Sequence, residues 1–431
     1  MIRAFASALF CVLWAVPALA YDYPFKDPYV ATVFGTAPGD EFPLDSLRPA
    51  NLAELNPLKD FRAVRDHEIL LHDRPVPDVL WYNDTLQYSV ARQRGTAPLL
   101  FIIAGTGSSY NSANCQFLQQ AFFRAGFHVV SLSSPTYPNF VVSASTTQVP
   151  GYVPQDVADL YQAMDVIAND IGRDRISACH LTGYSLGGTQ SAFLAELDAR
   201  EQRLGFDKVL LLNPAVSLMT SAKILDHLLS DSVADQAEVS SVISSLIQDL
   251  SEAYRGSNEV NFGDEFLFDL QKTRPLSDKE LRVLIGVSFR LSLASMVFTS
   301  DVCTGAGYIV PRGHQMEEGE SLTPYLDAAT GISFEDYIDE YLIPYLRFHD
   351  PSLTTDGIVA ACSLEHIGDF LRRAGNVAVM TNADDPILTP DNLDFLSSTF
   401  GSRLNLYPVG GHCGNLRYRD NVAAMLDYFR K

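Results

Sequence analysis

The chain has 431 residues, of which 47% are hydrophobic and 19% charged. That is ordinary globular composition, and it excludes a disordered or collagen-like chain. A formal net charge of −21, from 52 acidic against 31 basic residues, repels both nucleic-acid phosphates and anionic lipid head groups, so neither is expected as a partner.

The first twenty residues have the layout of a leader. Met1-Ile2-Arg3 is positive, Ala4 to Val16 is apolar, and Ala18 and Ala20 are small residues at positions −3 and −1 of a cut after Ala20. This predicts a signal peptide over 1–20 and a mature chain from Tyr21, exported to a periplasmic or extracellular setting. The apolar run is shorter than the ~20 residues that a spanning helix needs. No later run is continuous enough, so no stable membrane insertion after cleavage is expected. Five cysteines remain, none in C-x-x-C spacing, which suggests neither zinc nor a redox motif. Cys179 lies in an apolar run and reads as a core residue. Cys303 and Cys362 are the candidate disulfide, with Cys413 and Cys115 the competing pair.

Residues 21–80 are rich in Pro, Asp and Tyr without a period, and read as an extended arm on the surface. From 81 onward a rhythm begins. Leu86 to Ala91 alternates as a half-buried strand does, and Leu99 to Ala104 is a continuous apolar run, as in a strand buried on both faces. Further strands are expected at 127–132, 176–181 and 208–212. Helices are expected at 115–125, 155–171 and 186–204. Strands alternating with helices of this length imply a mostly parallel central sheet with helices on both faces. Between 214 and 375 the patterns are helical, at 219–230, 233–254, 276–297, 333–347 and 363–374. The rhythm then returns with strands at 377–380 and 404–407 and helices at 390–399 and 416–430. One catalytic domain is therefore expected over 81–213 and 376–431, carrying a helical insertion over 214–375.

The third continuous strand ends in Gly183-Tyr184-Ser185-Leu186-Gly187, and a helix follows. A serine on so tight a turn lifts its hydroxyl out of the sheet. Glycines on either side let the strand and helix pass close, and the Leu186 N–H at the helix start aims at an oxyanion. A nucleophilic serine needs a base. His412, in Gly410-Gly411-His412-Cys413-Gly414, sits in a flexible-looking loop after the last strand, at the carboxyl edge where open α/β sheets place their ligands. The other histidines fall in strands, in the insertion or in the N-terminal part, where structural roles are commoner. The imidazole in turn needs a carboxylate. Asp384 and Asp385 follow strand 377–380, and Asp385 is preferred because it opens the Asp-Pro-Ile-Leu turn, with Asp384 the alternative. The strand ending at Leu212 is followed by Asn213, not an acid.

Ser185, Asp385 and His412 in that order, with the elbow, the Asp-Asp-Pro loop and the Gly-Gly-His loop after their respective strands, resemble the α/β-hydrolase family over residues 80–213 and 376–430. The chain looks most similar to the esterase, lipase and serine-aminopeptidase-like branches. The resemblance implies an α/β-hydrolase fold with 214–375 as its cap, and serine hydrolysis of carboxylic esters without metal or organic cofactor. It also implies a second oxyanion donor after strand 99–104. In Ala104-Gly105-Thr106-Gly107 that is Thr106 by position, with Gly107 next. A peptidase, amidase or acyltransferase of the same fold, or a binding protein on that scaffold, are the competing readings. The insertion is rich in aromatic residues (Phe289, Phe298, Tyr308, Tyr325, Phe334, Tyr337, Tyr341, Tyr345, Phe348), which favours a small-molecule substrate with an apolar acyl or aromatic group.

Overall fold

Leu99, Phe101 and Ile103 pack into one apolar layer, and Leu100 and Ile102 into the other. Side chains alternate across a strand, so a run apolar at every position needs cover on both faces. Full burial of each such residue is worth about 1.5–3 kcal/mol, and this holds the strand at the centre. The computed structural model describes residues 21–47, 64–232 and 275–431. The expected leader over 1–20 and the expected helix over 233–254 lie outside them.

The sheet has eight strands: β1 (Val64–Ile69), β2 (Leu86–Ala91), β3 (Ala97–Ile103), β4 (His128–Leu132), β5 (Ile176–Tyr184), β6 (Phe206–Leu212), β7 (Val377–Asn382) and β8 (Leu404–Tyr407). Their spatial order is β1-β2-β4-β3-β5-β6-β7-β8. β2 pairs antiparallel with β1 and β4, and every other pairing is parallel. The remaining elements include helices α1 (Pro28–Phe34), α2 (Ala113–Arg124), α3 (Pro138–Ser143), α4 (Val153–Ile171), α5 (Leu186–Glu201), α6 (Leu218–Ser230), α7 (Asp278–Thr304), α8 (Thr323–Thr330) and α9 (Phe334–Asp336). α9 runs through a π-helical segment, Tyr337–Leu342, into α10 (Ile343–His349). There follow α11 (Thr355–Ala361), α12 (Gly368–Arg373), α13 (Pro390–Phe400) and α14 (Arg419–Arg430). α4, α5 and α13 cover one face of the sheet, and α2 and α14 the other.

The structure departs from the sequence reading in four places. Residues 21–80 are not simply an extended arm. They contain α1 and an added edge strand, β1, and they bury Tyr23 and Ala31. β1 reads Val-Arg-Asp-His-Glu-Ile, an edge strand too polar to show as buried. Cys303 and Cys362 are not bridged: all five cysteines among the described residues are free. Cys303 packs beside Phe298 and Val79, whereas Cys362 sits in the main layer with Leu364, and burial pushes both thiols up to about 12. α7 has 27 residues and is apolar enough by length and composition to cross a membrane, contrary to expectation. In the structure it packs against α6, α8 and α1. Finally, the insertion holds short helices not foreseen, α8 and α11 among them.

Candidate active site

β5 ends at Tyr184 and α5 begins at Leu186, so Ser185 alone makes the turn. Its backbone sits at φ 56 and ψ −125, a region that costs a non-glycine residue roughly 1–3 kcal/mol. The surroundings impose it. A Cβ at Gly183 would run into the Gly187 carbonyl, and one at Gly187 into the Ile103 carbonyl. The Ser185 N–H donates to Leu212 O at 2.9 Å, which ties the turn to β6. Next to it, Tyr184 anchors its hydroxyl 3.0 Å from Ser112 Oγ.

Ser185 Oγ lies 2.9 Å from His412 Nε2, and His412 Nδ1 lies 3.0 and 3.1 Å from the two Asp385 oxygens. The three side chains come from the turns after β5, β7 and β8, and they are only 7%, 6% and 4% exposed for Ser185, His412 and Asp385. Asp385 also accepts from Asn213 Nδ2 at 3.0 Å and from the Ile387 N–H at 3.1 Å. Asp384 points elsewhere: its carboxylate accepts the N–H groups of Gly410 at 3.2 Å and Gly411 at 2.9 Å, clamping the loop that carries His412. The serine turn after the fifth strand, the carboxylate after the seventh and the histidine after the eighth, in a sheet of this strand order, decide the architecture. The chain has the α/β-hydrolase fold.

No protein-family model matches the chain, and no curated protein does. Among solved structures it is similar to an esterase of Pyrococcus furiosus, at 8% identity and TM-score 0.43, over 89% of this chain and 96% of that one. It is similar also to a proline iminopeptidase of Mycobacterium smegmatis, at 12% and 0.41, over 85% and 98%. A third is the bacterial brefeldin A esterase, at 16% and 0.39, over 89% and 78%. Likenesses this distant carry no argument about chemistry.

In this α/β-hydrolase fold the loop after β3 brings Thr106 to the cavity that Ser185 and Leu186 line. The Gly107 N–H is already given to Thr136 Oγ1 at 2.8 Å, so of the two candidate donors only Thr106 faces the cavity uncommitted to that hydroxyl. The cavity continues under the insertion, against Met219 and Leu225 of α6, Phe289 and Met296 of α7, Phe334, and Tyr337 and Leu342 of the π-helical segment. Among the described residues, none that lines it carries a charge. Phe298 and Tyr325 instead pack with Val79, Leu80 and Val142, Tyr308, Tyr341 and Tyr345 pack with Val149, and Phe348 is 81% exposed. A buried ion pair braces this roof. Arg290 of α7 donates to Asp226 of α6 at 3.1 Å, and Asp226 also accepts the N–H groups of Phe334 and Glu335. Removing one partner of such a pair strands the other charge, at about 3–5 kcal/mol.

The other buried histidines lie away from the site, and His180 packs against Phe127 and Phe429 with no hydrogen-bond partner for its Nδ1 among the described residues. His128 Nδ1 accepts the Gln93 N–H, and burial drives His180 down to about 4. Among the described residues no group of three or more His, Cys, Asp or Glu side chains is placed to hold a metal ion. Sequence reasoning missed two contributors. Asn213 follows β6 directly at the edge shared with Ser185 and Asp385, a position that was itself the signal. Thr32, whose Oγ1 accepts the His412 N–H at 2.8 Å, lies 380 residues away and gives none. The loop glycines also read differently. A Cβ at Gly411 would strike Pro28 O and Thr32, and one at Gly414 would strike Ala31 O. These glycines permit close packing against α1 and are not a device for flexibility.

Proposed function

We propose that the protein is a serine hydrolase that cleaves carboxylic esters with an apolar acyl group, through an acyl-enzyme. The observation that carries this reading is the Ser185–His412–Asp385 hydrogen-bond chain opening into a cavity whose described lining is mainly apolar. Ser185 Oγ attacks the ester carbonyl carbon while His412 Nε2 takes its proton. The oxyanion that forms is met by the N–H groups of Leu186 and Thr106. Collapse of the tetrahedral intermediate breaks the C–O bond to the alcohol, which leaves with the proton from His412. Water then repeats the sequence, releasing the carboxylic acid and restoring Ser185. Asp385, fixed by Asn213 and the Ile387 N–H, holds the imidazole in the tautomer that presents a bare Nε2 to the serine. A peptide substrate with a free amino terminus needs a carboxylate to receive its ammonium, and among the described residues none lines the cavity. We further propose, on the leader over 1–20, that the enzyme works outside the cytoplasm.

A panel of p-nitrophenyl esters of increasing acyl length, run against aminoacyl anilides, tests the substrate class. Esters are expected to turn over at least 100-fold faster in kcat/KM than anilides, since an oriented serine meets a far weaker leaving-group barrier there. Faster anilide cleavage rejects the ester reading and leaves the triad standing.

The pH dependence follows from the burial and charge around His412. Burial alone disfavours the imidazolium, but the Asp385 carboxylate and the Cys413 sulfur, 3.8 Å from Nε2, outweigh it and hold the imidazole well above its ordinary 6.5. Only the neutral ring accepts the serine proton. The acid limb of kcat/KM is therefore expected above pH 6.5, with activity rising as pH increases through it. The same shift makes the pair stabilising below the unfolded value, a contribution lost as pH rises through the folded one. A limb at or below 6.5 in the pH–rate profile contradicts this.

A further inference from the structure

The loop Gly410–Gly414 has little regular structure to hold it. Gly410, Gly411 and Cys413 all have positive φ, at 151, 56 and 62. Its position is set by what grips it. Asp384 takes the Gly410 and Gly411 N–H groups, and Asn382 Nδ2 donates to Gly411 O at 2.7 Å. The next amide, that of His412 itself, is taken by Thr32 of α1. The Thr32 hydroxyl donates to Pro28 O at 2.6 Å, which fixes its rotation and leaves a lone pair for the His412 N–H. α1 is itself held. Asp27 caps its start by accepting the Tyr29 and Val30 N–H groups, and Thr36, just past its end, donates to Gly414 O at 2.9 Å. Its far side meets the cap: Phe34 packs with Leu281 of α7, and the Arg282 guanidinium lies 5.7 Å over the Tyr29 ring.

We propose that Thr32 is a positioning residue for the general base: by holding the His412 amide against α1, it sets where Nε2 stands relative to Ser185 Oγ. This rests on the serine-hydrolase reading. The argument is geometric. His412 reaches Ser185 at 2.9 Å and Asp385 at 3.0 Å from a loop whose glycines admit α1 in direct backbone contact. A misplacement of about 1 Å in such a constellation costs on the order of 100-fold in rate. Since α1 also touches α7, the base and the cap share a single support.

Thr32→Val keeps the shape and removes the acceptor, and Thr32→Ser keeps the acceptor. On a short p-nitrophenyl ester, Thr32→Val is expected to lower kcat at least 10-fold with KM within about 2-fold, and Thr32→Ser to stay within about 3-fold of the parent. A second readout does not use turnover. In protein labelled with ¹⁵N-histidine, the His412 imidazole, faced by Asp385, Cys413 and Ser185, should titrate at a value displaced by half a unit or more in Thr32→Val and unmoved in Thr32→Ser. Should Thr32→Val fold poorly, Thr32→Ala gives the same two readouts without added bulk. Equal kcat in the Val and Ser variants, or an unmoved His412 titration in Thr32→Val, overturns the proposal. If Ser185→Ala hydrolyses esters as fast as the parent, the serine-hydrolase reading fails instead, and the titration alone decides the role of Thr32.

Discussion

Ser185→Ala is expected to fold with an unchanged melting temperature and to lose ester turnover by roughly four to six orders of magnitude. In the proposed mechanism the hydroxyl is the group that bonds to the acyl carbon, and a methyl group cannot replace it. Cys413 Sγ lies 3.8 Å from His412 Nε2, but on the histidine's own loop and not on the elbow. The residual rate reports the cavity and the Leu186 and Thr106 N–H groups acting on water. The same variant should give no adduct with a fluorophosphonate probe by intact mass. An adduct, or more than about a hundredth of parental turnover, removes Ser185 from the role of nucleophile.

Asp385→Asn is expected to cost about 10⁴ in kcat with little change in fold. Its amide keeps the volume and still accepts the Ile387 N–H, but it offers no charge to an imidazolium and allows the wrong imidazole tautomer. Asp384→Asn changes a different thing. Asp384 accepts two loop N–H groups, and an amide oxygen still accepts one of them, so a loss within about 10-fold is expected. Measuring kcat for both variants on one ester separates the two carboxylates. The opposite ranking assigns the acid to Asp384.

The parts of the site that were legible in the sequence are those whose physics is local. Gly183-Tyr184-Ser185-Leu186-Gly187 announces itself because a tight turn needs glycines at fixed offsets, and β3 because a run apolar at every position has few other homes. Asp384 and Asp385 are a harder case. Both stand in the same short loop, and only the fold shows that one faces the imidazole and the other the Gly410 and Gly411 amides. β1 was illegible because an edge strand with one weakly buried face has no apolar run. Thr32 was illegible for a deeper reason: it acts through a single hydrogen bond to a residue 380 positions away, and no spacing rule spans that distance, whereas Asn213 stood in plain view after β6 and was passed over because it is not an acid. The glycines around His412 carried a real signal that was misread, because close approach and conformational freedom call for the same residue.

The contact between Thr32 and His412 bears on when the chain acquires its reactivity. The elbow needs only β3, β5 and β6, all complete by residue 212. All of that sequence precedes Asp385 and His412. Joining residues 21–36 to the loop at 410–414 closes one of the longest loops in the molecule, and contacts of such separation form late because their entropic cost precedes their reward. On the proposed mechanism, a chain interrupted before residue 412 lacks the base that Ser185 needs.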